Sequence, residues 1–157
     1  MIQKINKTDT SILKMLQEDS SRSYKQIASL LHKSCTTITN RIRWLRENGF
    51  ITRTVAVLNP KKLDLLIQAY IYLRLENYSD DALDPFKKEI AGIDGVCGCT
   101  NITGTLNIKL KVITHDTSSL AAIKRKVAGV KGVKEMSGYI VLDDLIAYSG
   151  FNFEGTR

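Results

Sequence analysis

Between Cys35 and Asn48 the sequence places Thr36, Asn40 and Arg43 three and four residues apart, so that they share one side of a helix. Thr37, Arg41 and Trp44 fall on the flanks, and Ile38, Ile42 and Leu45 take the opposite side. An asparagine amide can pair with adenine N6 and N7, a guanidinium with guanine O6 and N7, and a threonine with a phosphate or a thymine methyl. A helix surface selected for stability alone would carry Glu, Lys and Ala in place of three threonines. The pattern predicts that Thr36, Thr37, Asn40 and Arg43 touch base edges. Ser34, which caps the helix, is counted with them. Lys25, Lys33, Arg41, Arg46 and Arg53 are predicted to hold phosphates and to make affinity fall with salt.

Other reactive side chains promise less. Cys97 and Cys99 sit two apart and are expected to share a strand face as small buried apolar groups. Three cysteines without a C-x-x-C fit neither a disulfide framework nor a zinc site. Cys35 opens the candidate reading helix, where a thiol could act as a redox switch. His32 and His115 are isolated from each other and from any nucleophile pattern, and no phosphate-binding glycine loop is present. No catalytic group, metal or cofactor is expected.

The elements that must position the reading face are short. The chain has 157 residues, 43% hydrophobic and 25% charged, the balance of a globular protein. Residues 1–59 hold ten Lys and Arg against four acids, whereas 60–157 hold thirteen against twelve. A basic third followed by a nearly neutral remainder suits a polyanion-binding module joined to something with another job. Asp9 is expected to cap a first helix carrying Ile12, Leu13 and Leu16. Ser23 and Gln26 form a capping box for a second, with Ile27, Leu30 and Leu31 as its buried stripe. Ser34 caps the third, and Gly49 supplies the left-handed residue after it. The short Leu31–Ser34 link sets helices two and three as a helix-turn-helix. Phe50–Leu58 alternates and is rich in β-branched residues, which predicts a strand serving as a wing or inter-domain arm, stopped by Asn59-Pro60.

From residue 66 the order reads strand, helix, strand, strand, helix, strand. Leu66–Leu75 alternates, with Ile67, Ala69, Ile71, Leu73 and Leu75 on one face. Asp84-Pro85 is expected to open a helix with Phe86, Ile90 and Ile93 as its stripe. Strands over Val96–Thr103 and Leu106–Thr114 follow, joined through Gly104-Thr105. A helix capped at Asp116 or Thr117 carries Leu120, Ile123 and Val127, and a final strand runs from Val133 to Asp143. The reading is an α+β chain. A winged helix-turn-helix domain (1–50) and a strand linker (51–65) precede a ferredoxin-like βαββαβ domain (66–157). Both helices would cover one sheet face. The other keeps Tyr70 and Tyr72, which invites a second copy.

Thr8-Asp9-Thr10-Ser11-Ile12-Leu13, Leu16-Gln17, Asn40-Arg41-Ile42-Arg43-Trp44-Leu45, Asn48-Gly49-Phe50-Ile51 and Leu58-Asn59-Pro60 together resemble the Lrp/AsnC (feast/famine) transcriptional regulators. The likeness runs over essentially the whole chain. It implies that the second half, a RAM-type domain, drives dimerisation and assembly into larger rings, commonly octamers. It also implies an amino-acid effector bound between dimers, at positions matching Gly104, Thr105, Leu106 and Asn107 with Tyr139, Ile140 and Val141. Two departures stand out. The usual Gly-Leu-Ser turn between helices two and three is His32-Lys33-Ser34. The usual Gly-Asp-aromatic-Asp turn has Thr105 and Asn107 where the acids would be. A carboxylate there could take an α-amino group through a charge-assisted bond of about 1.5–3 kcal/mol. Without one, effector binding is expected to be weakened, altered or lost.

The sequence therefore predicts a homo-oligomeric, sequence-specific regulator that reads double-stranded DNA. Its half-sites would lie about one helical turn (10–10.5 bp) apart, or a multiple of that. The start of the chain shows no apolar signal region and no stretch suits a membrane span, so a cytoplasmic protein is expected. Two other readings stay open. One is an enzyme resembling the siroheme decarboxylases, which share this architecture. The other is a nucleoid-type architectural protein with little sequence preference.

Overall fold

The computed structural model describes residues 5–146, 150 and 153. It divides into two compact units, one of residues 5–57 with Ile146, Gly150 and Phe153, the other of residues 58–145.

Three helices make the first unit: α1 (Lys7–Glu18), α2 (Tyr24–Leu30) and α3 (Cys35–Glu47). The cap of α1 is Asn6 and not Asp9. Asn6 Oδ1 accepts from the Asp9 amide at 2.9 Å, and the Asp9 carboxylate accepts from the Asn6 amide at 2.9 Å. Asp9 is therefore the third helical residue of a capping box, one turn further in than expected. The Ser23/Gln26 box and the Ser34 cap form as predicted. Ile12, Ile27, Ala28, Ile38, Ile42 and Leu45 build the core. Leu30 does not join it. It is 58% exposed, because the α2 stripe runs through Ile27 and Ala28 instead.

Both α2 and α3 end in Schellman motifs, in which the amides just past the helix satisfy carbonyls of its last turn. After α3 the Gly49 amide donates to Arg46 O and the Phe50 amide to Leu45 O, with Gly49 at φ +75°. After α2 the His32 amide donates to Ser29 O and the Lys33 amide to Ala28 O, with His32 at φ +51°. The substituted turn thus keeps its geometry and holds a histidine in the left-handed region, at a cost of roughly 1 kcal/mol.

Residues 51–59 form no strand. A β-branched, alternating segment becomes a strand only when a neighbour supplies the ladder, and this chain offers none, leaving Val57 95% exposed. The expected wing or arm is absent from the single chain. Asn59 instead caps one 3-10 turn, Pro60–Leu63.

The second unit is a four-stranded antiparallel sheet in the order β2-β3-β1-β4, with two helices. Its strands are β1 (Ile67–Leu75), β2 (Val96–Asn101), β3 (Ile108–Thr114) and β4 (Val133–Ile140). Its helices are α4 (Asp80–Ala91) and α5 (Thr117–Gly129). Ala69, Ile71, Leu73 and Leu75 of β1 join Ile108, Leu110 and Val112 of β3 under Phe86 and Ile90 of α4 and Leu120, Ile123 and Val127 of α5. The helix α4 starts earlier than Asp84-Pro85 suggests. Ser79 stands at its N-cap, Asp80 and Asp81 fill its first turn, and Pro85 lies inside. Acids at the positive end of the helix dipole make Asp80 the better start.

The cysteine expectation also fails. Val96 pairs with Val112 but Gly98 with Lys111, so Cys97 is the extra residue of a bulge. The bulge breaks the two-residue alternation, and both Cys97 and Cys99 are exposed on the edge strand β2. No group of three or more His, Cys, Asp or Glu among the described residues could hold a metal. No described helix is long and apolar enough to cross a membrane.

Candidate nucleic-acid interface

The α3 side chains divide as the helical period requires. Ile38, Ile42 and Leu45 are buried, while Thr36, Thr37, Asn40, Arg43 and Arg46 are exposed. Thr36, Asn40 and Arg43 form one stripe about 10 Å long at ~1.5 Å per residue. Their side chains make no hydrogen bond or ion pair within the described chain. Three polar side chains thus stand free in a row. Thr37 is more occupied, its hydroxyl lying 2.8 Å from Ser34 Oγ and its amide donating to that oxygen at 3.1 Å. Thr39 turns back to donate to Cys35 O at 2.9 Å. Lys25, Lys33 and Arg53 are exposed cations.

Arg41 has another job. Its Nε donates to Asp9 Oδ1 at 2.7 Å and its terminal nitrogen to Asp9 Oδ2 at 2.6 Å, a bidentate pair. Asp9 is fully buried. Burial pushes its carboxyl up, but the hydrogen bonds from Arg41 and the Asn6 amide, with the Arg41 charge, outweigh that and hold it below its ordinary value. The same contact raises the Arg41 guanidinium. Arg41 also lies 4.4 Å from the centre of the Trp44 ring, and Trp44 stacks on Phe50 at 5.5 Å. The group expected to hold a phosphate therefore braces α3 against α1. Asp9 was missed in this role because sequence spacing shows a cap position, whereas the partner lies 32 residues away.

Within one chain the residues expected at an effector site between dimers lie in two groups. Gly104, at φ +123°, turns the chain between β2 and β3, and the Ile102 amide donates to Asn107 O at 2.8 Å. This turn lies beyond the Leu73–Ile108 pair, level with Arg74. Tyr139 instead pairs with Tyr70, Ile140 with Ala69, and the Val141 amide donates to Gln68 O. The two groups are four to six residues apart along β1, about 13–20 Å at ~3.3 Å per residue. Ile140, opposite Ala69, lies on the helix-covered face, while Tyr139 lies on the open one. At the Gly104 end, Arg74 Nε and Asn107 Oδ1 are buried without a hydrogen-bond partner, although Arg74 reaches Glu135 at 3.0 Å through its terminal nitrogen.

A three-helix unit with a free Thr/Asn/Arg stripe, attached to a ferredoxin-like sheet, defines a helix-turn-helix DNA-binding protein with a second, ligand-type domain. Comparison with known proteins agrees. Residues 5–52 match the winged helix-turn-helix DNA-binding family, and residues 68–150 match the Lrp/AsnC ligand binding domain. The chain belongs to the Lrp/AsnC family of transcriptional regulators. It is 29% identical over 143 residues to a proline dehydrogenase transcriptional activator of Rhodobacter capsulatus, covering 90% of this chain and 93% of that one. Its fold matches an AsnC family transcriptional regulator of Agrobacterium tumefaciens with a TM-score of 0.84 at 24% identity, covering 94% of this chain and 97% of that one. A transcriptional regulator of Neisseria meningitidis, solved as its L-Met complex, matches with a TM-score of 0.89 at 21% identity, covering 96% and 98%.

Proposed function

We propose that this regulator reads DNA with Thr36, Asn40 and Arg43 at base edges, Thr37 joining them from the cap. Lys25, Lys33, Arg46 and Arg53 hold phosphates, and Ser34 fixes the start of the helix against the duplex. The observation that carries this reading is the α3 stripe, whose side chains are exposed and without internal partners while Arg41 is held back by Asp9. Groups already bonded would have to break those bonds to read a base, and these do not. The chain acts as a regulator and not an enzyme in this reading, which its likeness to transcriptional regulators supports.

The second unit joins copies. Tyr70, Tyr72 and Tyr139 share the uncovered sheet face, with Tyr72 and Tyr139 packed edge to face at 5.7 Å. Covering that face with a second copy buries aromatic area, and further assembly to an octamer would follow the family habit. An effector, if bound, sits between copies, because the Gly104–Asn107 turn and Tyr139–Val141 cannot meet within one chain. The L-Met complex of the Neisseria relative favours an amino acid. The missing acids favour weaker or altered binding. Isothermal titration with the twenty amino acids, beside sedimentation of the free protein, tests both ideas. A monomer at micromolar concentration would overturn the assembly reading, and submicromolar binding of any amino acid would overturn the weakened effector site.

A further inference from the structure

The two helices over the sheet differ in charge. The α4 segment carries Asp80, Asp81, Asp84 and Glu89 beside Lys87 and Lys88. From Thr117 to Lys134 there are five cations, Lys124, Arg125, Lys126, Lys131 and Lys134, and no acid at all. Arg125, Lys126, Lys131 and Lys134 are exposed, and none of the five makes an ion pair among the described residues. On α5 the core side is Leu120, Ile123 and Val127, which sets Arg125 directly outward with Lys124 and Lys126 on its flanks. Two features of β4 extend the patch. Arg74 pairs with Glu135 and Leu75 with Val133, so Lys134 is the unpaired residue of a bulge on an edge strand. Gly138 leaves room for Lys124, whose Cε would lie 3.3 Å from a Cβ there. Glu76 adjoins the Lys131 turn, its amide donating to Gly132 O, and it makes no ion pair among the described residues.

One or two cations would suffice to complement the negative end of α5. Five cations with no acid between them in the chain leave this part of the surface positive, which suits a polyanion. We propose that the Lys124–Lys134 patch of the second unit is a separate phosphate-binding surface. It grips the backbone of duplex flanking the segment read by α3, without regard to sequence. The identity of the polyanion rests on the DNA-reading role of the first unit. Once that unit is bound, tethering holds neighbouring duplex at high local concentration, so weak contacts suffice. The acidic α4 face would turn the same backbone away.

The test uses the full-length protein with random-sequence duplexes of two lengths, about 20 and about 80 bp, read by fluorescence anisotropy from 50 to 200 mM salt. For Lys126→Gln/Lys131→Gln/Lys134→Gln we expect the slope of log affinity against log salt on the long duplex to flatten by about 2–3, near 0.9 per lost phosphate contact. Affinity for the long duplex falls about tenfold or more at the higher salt, while the short duplex changes less than twofold. The matching Lys→Arg triple restores the slope. An unchanged slope on the long duplex overturns the proposal, as does an equal loss on both lengths. Lys33→Ala is measured alongside. Should it leave both duplexes unaffected, the reading of the first unit fails, whereas the triple variant still decides the patch.

Discussion

The first unit completes its business within one chain, and the second does not. Around α3 the buried Asp9 carboxylate is satisfied by Arg41 and Asn6, and Thr36, Asn40 and Arg43, the side chains proposed to read DNA, are left free. On the open sheet face the reverse holds. Tyr70 and Tyr72 are half-buried and Tyr139 is exposed, Arg74 Nε and Asn107 Oδ1 are buried without partners, and the two groups of positions expected to bind an effector lie toward opposite ends of β1. A module that meets a fixed, rigid ligand such as duplex DNA can be finished in advance. On the proposed reading, the second module is left unfinished until other copies cover it.

The contrast is sharpest at Arg41. Removing it strands a buried carboxylate, so Arg41→Ala should destabilise the first unit by about 3 kcal/mol, toward the lower end of the range for broken buried pairs. Chemical denaturation followed through Trp44, the single tryptophan, reads this directly. Fluorescence should also change in the folded state, because the guanidinium leaves the ring. Were Arg41 a phosphate contact, stability would hold and only the salt slope would fall. Asn40→Ala should do the opposite, keeping stability and costing about 1–3 kcal/mol of discrimination at one base position. This would be measured by competition between duplexes differing at single positions.

Smaller effects sharpen the comparison further. His32→Gly relieves the left-handed strain after α2 and should stabilise the first unit by roughly 1 kcal/mol in thermal denaturation. Acid should strike both units through different groups. Asp9 lies below its ordinary value, and Asp116 is held down at about 2 by the Ser119 amide and the Ser118 and Ser119 side chains. A carboxyl depressed on folding stabilises above its unfolded value, near 4, and loses that contribution as pH falls through the folded one. Folding stability, followed from pH 5 down to 2, should therefore decline across that window. In Asp116→Asn the decline contributed by the α5 cap should vanish.

Much of this was legible in the sequence, for identifiable reasons. The Ser23/Gln26 capping box, the Ile38/Ile42/Leu45 stripe and the βαββαβ order follow from short-range spacing, which the chain cannot easily override. Three expectations failed where distant partners decide. Asp9 changed from cap to buried ion-pair member because Arg41 reaches it from α3. Phe50–Leu58 has strand chemistry but no strand to pair with. A bulge at Cys97 broke the alternation expected to set both cysteines on one buried strand face. The α5 patch was visible as composition all along, masked by averaging it with the acids of α4.

The central claim is that the Thr36/Asn40/Arg43 stripe reads base edges, and selection of bound duplexes from a random pool, by wild type and by Asn40→Ala, tests it most directly. The account predicts that the wild type enriches paired half-sites about 10–10.5 bp apart, or at a multiple of that, and that the variant loses preference at one position in each half-site. Identical enrichment by the two proteins, or none by either, would contradict it.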